Sequence, residues 1–266
     1  MMHFRKNILV GCIAGDVLGA AYVPQFPEEK VTVVIRENST FTDETLFAVA
    51  VADAMLTESS IRNRLCNYFS TYASTKFNSP LLDFLIGGYS YTLNIYSKPV
   101  LSRFVPVSYV AKNFKDLKEV SRTVLDATKN DGGSISAARF ITTALYLCTC
   151  GYRKNDIKEI LDKEIPEYRH TQTLEKLIKR FKNPLHAQFI APLAFQAFME
   201  SDSYEHAILN ALEIGINPEA MASLSGAFAM AYYQEIPRDI IEFTLMRLPM
   251  PFVDIMLQFQ ERFVLK

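Results

Sequence analysis

At 266 residues with 49% hydrophobic content, the chain carries enough apolar side chains for a sizeable core, and one domain spanning residues 1–266 is expected. Its formal net charge of −1 leaves no bulk basic footprint, so nucleic acid and anionic membrane surfaces are disfavoured as main partners. Cys12, Cys66, Cys148 and Cys150 lack the spacing of a metal cluster or a disulfide framework, and free thiols in a reducing, cytoplasmic setting are expected.

Arg5 and Lys6 precede an apolar run of Ile8, Leu9 and Val10 before Cys12, which superficially resembles a lipoprotein cleavage site. That run falls short of the roughly 7 to 15 apolar residues of a secretory core, and Asp16 follows soon after, so the stretch reads as the first turns of a helix. Over residues 8–21, Gly11, Gly15 and Gly19 recur every fourth position and share one helical face, which allows a neighbour to approach closely. Asp16 is the single charge in this run and a candidate to face a ligand. Pro24 and Pro27 end the helix, and residues 31–35 are β-branched enough for a short extended segment. A second helix opens at Thr42, a natural N-cap, with Asp43 and Glu44 in its first turn. Acidic residues there are ordinary partners of the helix dipole, and the same pair can also supply oxygens to a hard cation.

Residues 59–96 are aromatic and polar and suggest two short helices joined by irregular structure. Residues 97–107 read as a loop, with Pro99 and Pro106 flanking Arg103. Residues 115–128 are amphipathic, and Gly132 and Gly133 are expected to break the chain before a helix over 134–147. Asn155 is the expected cap of a helix running to Asp162; residues 171–181 and 187–199 suggest two more. Asp202 and Glu205 form a capping-box-like start for a helix ending at Gly215.

Residues 215–233 read GINPEAMASLSGAFAMAYY, with Asn217 as expected N-cap, Pro218 at the first helical position and Glu219 facing the dipole. The alanines, serines and glycine that follow allow close packing on more than one face, so this helix is expected in the interior. Helices over 238–246 and 252–263 complete an all-α chain without tandem repeats or low-complexity tracts. The motifs of phosphate-binding loops, zinc peptidases and α/β-hydrolases are absent, and His3, His170, His186 and His206 are scattered. What remains as candidate chemistry is the set of carboxylates at helix mouths.

The order of these features resembles the ADP-ribosylglycohydrolases of the dinitrogenase-reductase-activating type, over nearly the whole chain. GCIAGDVLGA, residues 11–20, is similar to the family's Gly-Asp-x-x-Gly helix, and FTDETLFAVAVADAML, residues 41–56, to its Thr-Asp-Asp-Thr helix. SRFVPV, residues 102–107, resembles the Met-Arg-x-x-Pro segment, and residues 197–237 have the layout of the final active-site block. The resemblance implies a compact, single-domain, all-α fold with two magnesium or manganese ions between two helix N-termini. It also implies hydrolysis of the glycosidic bond that joins ADP-ribose to a modified protein side chain. Carried over residue by residue, it makes Thr42, Asp43, Glu44, Asn217 and Glu219 the metal set, Asp43 and Glu44 catalytic, and Asp16, Arg103 and Asn130 substrate-binding.

The chain departs from the family pattern in one direction. The second aspartate of the early motif is Glu44, and the late Gly-Gly-Asp-x-Asp-Thr is replaced by Gly215, Ile216, Asn217, Pro218, Glu219 and Ala220. A Thr-His-Asn-His segment becomes Thr128, Lys129, Asn130 and Asp131, and a Gly-Asn-Gly loop becomes Ser97, Lys98 and Pro99. Magnesium requires near-octahedral oxygens at about 2.0–2.1 Å and tolerates such shifts badly. Three readings stand: a relative with reduced or lost hydrolase activity that binds an ADP-ribose-like ligand or a partner, an active metal-dependent hydrolase, and an interaction protein without a small-molecule site.

Overall fold

A computed structural model describes Phe4 and residues 6–22, 35–72, 100–128, 132–168, 173–176 and 187–264; those residues contain helices and no strand. Two helices form the centre. Helix α1, Ile8–Gly19, is buried at every position. A second helix, Pro218–Tyr233, lies against it, buried from Ala220 to Ala231.

The four-residue glycine spacing explains their pairing. A Cβ on Gly11 would meet Met230 and the Gly226 carbonyl; one on Gly15 would lie 2.1 Å from the Ala222 carbonyl oxygen; one on Gly19 would lie 2.4 Å from that of Pro218. The contacts run in opposite directions along the two helices, so the pair is antiparallel, and the backbones touch because neither helix has side chains to separate them. Polar bonds fix the register: Tyr204 Oη donates to the Gly11 carbonyl at 2.7 Å, and Cys12 Sγ lies 3.0 Å from Ser223 Oγ.

Around this pair, in chain order, stand α2 (Asp43–Leu56), α3 (Ile61–Tyr72), a 3-10 turn (Ser102–Phe104), α4 (Val107–Val110), α5 (Phe114–Ala127), α6 (Gly132–Thr149) and α7 (Lys154–Glu164). They are followed by α8 (Ala187–Met199), α9 (Tyr204–Glu213), the central helix Pro218–Tyr233 as α10, α11 (Arg238–Leu245) and α12 (Met250–Phe259). Helices α8, α9 and α6 back α10, whereas α2 and α11 back α1; α3, α12 and the 3-10 turn pack on α2, and α5 and α7 on α6.

Several local expectations shift. Gly132 and Gly133 lie inside α6 rather than before it. Arg153, not Asn155, stands at the N-cap of α7. Ser203 caps α9 by accepting from His206 N, while Asp202 pairs with the His206 ring at 2.9 Å. The C-terminal helix begins at Met250 and ends in a π-turn over Gln260–Val264. Residues 31–34 of the extended segment expected over 31–35, the second short helix expected before residue 97 and most of the helix expected over 171–181 fall outside the described residues.

Candidate functional site

The C-terminal end of α1 gathers the residues that the sequence singled out. Asp16 lies one turn from that end, wholly buried, and is the anchor of α2. Its Oδ2 accepts from the Thr42 backbone at 2.8 Å, the Thr45 backbone at 3.1 Å and the Thr45 hydroxyl at 2.6 Å, while its Oδ1 accepts from the Thr42 hydroxyl at 2.6 Å. A carboxylate from one helix thus closes the N-terminus of another, where backbone N–H groups lack partners within their own helix. Burial pushes the Asp16 carboxyl up to about 6; the Thr42 and Thr45 hydrogen bonds pull it down, and neighbouring Asp43 raises it further.

Thr42 is the N-cap, with its side chain accepting from Glu44 N at 3.2 Å, as its place before an apolar run predicts. Asp43 and Glu44 follow, and both are buried. Glu44 Oε2 accepts from the Ser102 backbone at 3.1 Å, and the Ser102 hydroxyl donates to the Glu44 carbonyl at 2.6 Å. Burial drives the Cys12 thiol upward, and Glu44 and Asp16 add to the rise, so both carboxylates lie within electrostatic reach of the α1–α10 interface. Arg103 is also buried; its Nη1 donates to the Val100 carbonyl and its guanidinium lies 4.4 Å from the Phe104 ring centroid.

The late motif arrives at the same end through α10, whose Pro218 and Glu219 backbone rests on Gly19. Here the expected cap is not formed. Asn217 has left-handed φ and ψ of 43° and 58° and its side chain makes no capping bond. Side-chain capping uses the extended region; the left-handed backbone places the amide differently, and its buried Nδ2 has no hydrogen-bond partner. Gly215, two residues earlier, is left-handed as well, at φ 71°. Glu219 is half-buried.

The structure therefore brings Asp16, Thr42, Asp43, Glu44, Asn217 and Glu219 to one end of α1, with Arg103 on the adjoining turn. Asn130 lies outside the described residues. Thr45 and Ser102 are the two site residues that sequence reasoning missed. Thr45 repeats Thr42 at a spacing of three on one helical face, a signal that was available; the Ser102 bond to Glu44 spans 58 residues and has no local signature.

The residues present do not fit a binuclear magnesium or manganese centre. At the family's metal positions Asp43 and Glu219 keep carboxylates, but one Glu44 oxygen takes a backbone N–H, Asn217 contributes no charge and Ala220 no side-chain oxygen. Among the described residues, no group of three or more His, Cys, Asp or Glu side chains is arranged to hold a metal ion.

Comparison with known proteins agrees with the geometry of the fold. A family model described as ADP-ribosylglycohydrolase matches residues 6–256. A solved structure titled "ADP-ribosylglycohydrolase-related protein complex" superimposes with a TM-score of 0.72 at 19% identity, covering 97% of each chain; at that identity the likeness speaks for the fold alone. Among curated proteins there is no match.

Proposed function

The chain belongs to the ADP-ribosylglycohydrolase family, and from that premise we propose that this member has reduced or lost the metal-dependent hydrolase activity and retains recognition of an ADP-ribose-like ligand, free or attached to a protein. The observation that carries the reading is Glu44. It occupies the position of a family aspartate, yet it is fully buried, with one carboxylate oxygen bonded to the Ser102 backbone. One of its two oxygens is thereby committed to holding the 3-10 turn against α2, which leaves at most the other for a cation. The late motif supports the reading independently, because Asn217 and Ala220 stand where the family resemblance calls for an aspartate and a threonine.

Retention of ligand recognition rests on economy of change. The helix-packing glycines, the Asp16 clamp and the convergence of two helix N-termini are intact, so the family scaffold still presents positive dipole ends and carboxylates at one place. The competing reading, an active hydrolase with one metal or a relaxed site, is favoured by Thr42, Asp43 and Glu219, each of which keeps an oxygen near the family position.

Calorimetric titration of magnesium and manganese, with and without ADP-ribose, alongside hydrolysis of ADP-ribosylated arginine, separates these. ADP-ribose binding without added metal and without turnover is the expected result. Metal binding with turnover that Asp43→Ala abolishes would overturn it in favour of the active enzyme, and failure of both metal and ADP-ribose to bind would favour an interaction protein.

A further inference from the structure

A second feature is built from α5 and α6, which supply none of the carboxylates gathered at the end of α1, and it does not depend on the reading above. Helices α5 and α6 flank an open trench of about 1160 Å³, larger than the roughly 300–1,000 Å³ of small-molecule pockets. Its floor is apolar in effect. Leu117 and Ala138 are buried there, the Ser121 hydroxyl donates to the Leu117 carbonyl at 2.6 Å, and the Thr142 hydroxyl donates to the Ala138 carbonyl at 2.8 Å. Hydroxyls engaged by their own helices ask nothing of an occupant.

The rim has a different character. Phe114 is 42% exposed and Ile135 53%, two of the few large apolar side chains left in water among the described residues. Lys115, Lys118 and Arg122 follow at spacings of three and four along one face of α5. Arg122 has Asp126 at 3.7 Å, and Arg139 on the opposite wall has Glu164 at 3.7 Å. Lys115 and Lys118 are exposed, and neither forms a salt bridge within the described residues.

We propose that this trench docks an amphipathic α-helix of a partner protein, with apolar residues seated between Phe114 and Ile135 and acidic residues facing Lys115 and Lys118. Both walls are helices, so a third helix completes a packed layer, and the described residues offer no sheet edge for strand addition. Helix α5 has 14 residues and is about 21 Å long, enough for a partner segment of about four turns. The exposed lysines select for acidity, and the exposed phenylalanine and isoleucine supply the anchors that such grooves use.

The test uses the full chain and a fluorescein-labelled helical peptide of roughly 16 residues, with leucines at the i, i+3, i+4 and i+7 spacing and glutamates on both flanks. Fluorescence anisotropy should show saturable binding that weakens by about tenfold in the Lys115→Glu/Lys118→Glu double variant, while a peptide with lysines in place of the glutamates should gain affinity for that variant. Circular dichroism of the variant should match the parent, since both positions are exposed. Equal binding of a scrambled peptide, or binding indifferent to the double variant, would overturn the proposal. So would displacement of the peptide by dodecanoate at its own binding concentration, which would make the trench an acyl-anion site, or a concentration-dependent dimer abolished by Ile135→Glu, which would make it a self-association surface.

Discussion

Asp16 has no exposed surface and accepts four hydrogen bonds, yet burial holds its carboxyl at about 6, above the usual carboxylate range. Between the unfolded value of 3.8 and about 6 the folded chain retains a proton that the unfolded chain releases. Stability from this group is therefore fully present below the lower value and is lost as pH rises through the upper one. Urea unfolding at pH 4 and pH 7.5 should show that trend in the parent and a flatter one in Asp16→Asn, with the difference between them about 2–3 kcal/mol. The same substitution should lower stability at both pH values, because an asparagine amide brings N–H groups toward Thr42 and Thr45, which already donate. A steeper fall in the variant than in the parent would refute the assignment.

Helix packing makes a sharper contrast. At Gly15 a methyl group would lie 2.1 Å from the Ala222 carbonyl oxygen, where backbone cannot move aside without separating α1 from α10. Gly15→Ala should cost about 3 kcal/mol in denaturant unfolding. At Gly151 nothing lies within 4 Å, and only the left-handed φ of 77° opposes a side chain, so Gly151→Ala should cost about 1 kcal/mol. Lys154 links three further elements. Its three N–H groups lie among four acceptors, the carbonyls of Phe198, Met199 and Ser201 at 2.8, 3.2 and 2.7 Å and Tyr233 Oη at 2.8 Å, and close the C-terminus of α8 against α7 and α10. Lys154→Met keeps the stem and removes the donors; a loss of about 2 kcal/mol is expected, measured by thermal unfolding.

These elements also show what sequence can and cannot carry. The glycines of α1 and the small residues of α10 are each legible, because close approach demands small side chains on a helical face. That they answer each other is a register fact between segments about 200 residues apart, and no local pattern encodes it. Thr42 is a readable cap since its signal and its effect lie within three residues; Asn217 is not, because the left-handed backbone before α10 overrides its propensity. Asp16 stands out as a lone charge in an apolar helix, but its partners sit 26 and 29 residues away, so its role as the clamp of α2 emerges only from the fold.

At the scale of the molecule, one contiguous hydrophobic cluster includes buried residues from α1, α2 and α3, from α5 to α10, and from α11 and α12. The apolar faces of these helices meet in this cluster, and no described helix is long and apolar enough to cross a membrane. Shared burial of this kind couples every element to the α1–α10 pair, and unfolding should be a single calorimetric transition with equal calorimetric and van't Hoff enthalpies. The candidate site then reports on the whole chain, because a ligand held by two helix N-termini and the end of α1 stabilises everything packed on them. With ADP-ribose at a hundredfold excess over its dissociation constant, linkage adds about 2.7 kcal/mol to the folded state. Each kcal/mol moves Tm by about 2–4 °C in chains of roughly this size, so ADP-ribose should raise Tm by several degrees, whereas millimolar magnesium alone should leave it unchanged. A rise with magnesium alone, removed by Asp43→Ala, would mean that the carboxylates at the helix mouths open to a cation after all, and that Glu44 can exchange Ser102 for a metal. Two separate transitions would mean that the central pair does not bind the outer helices into one cooperative unit.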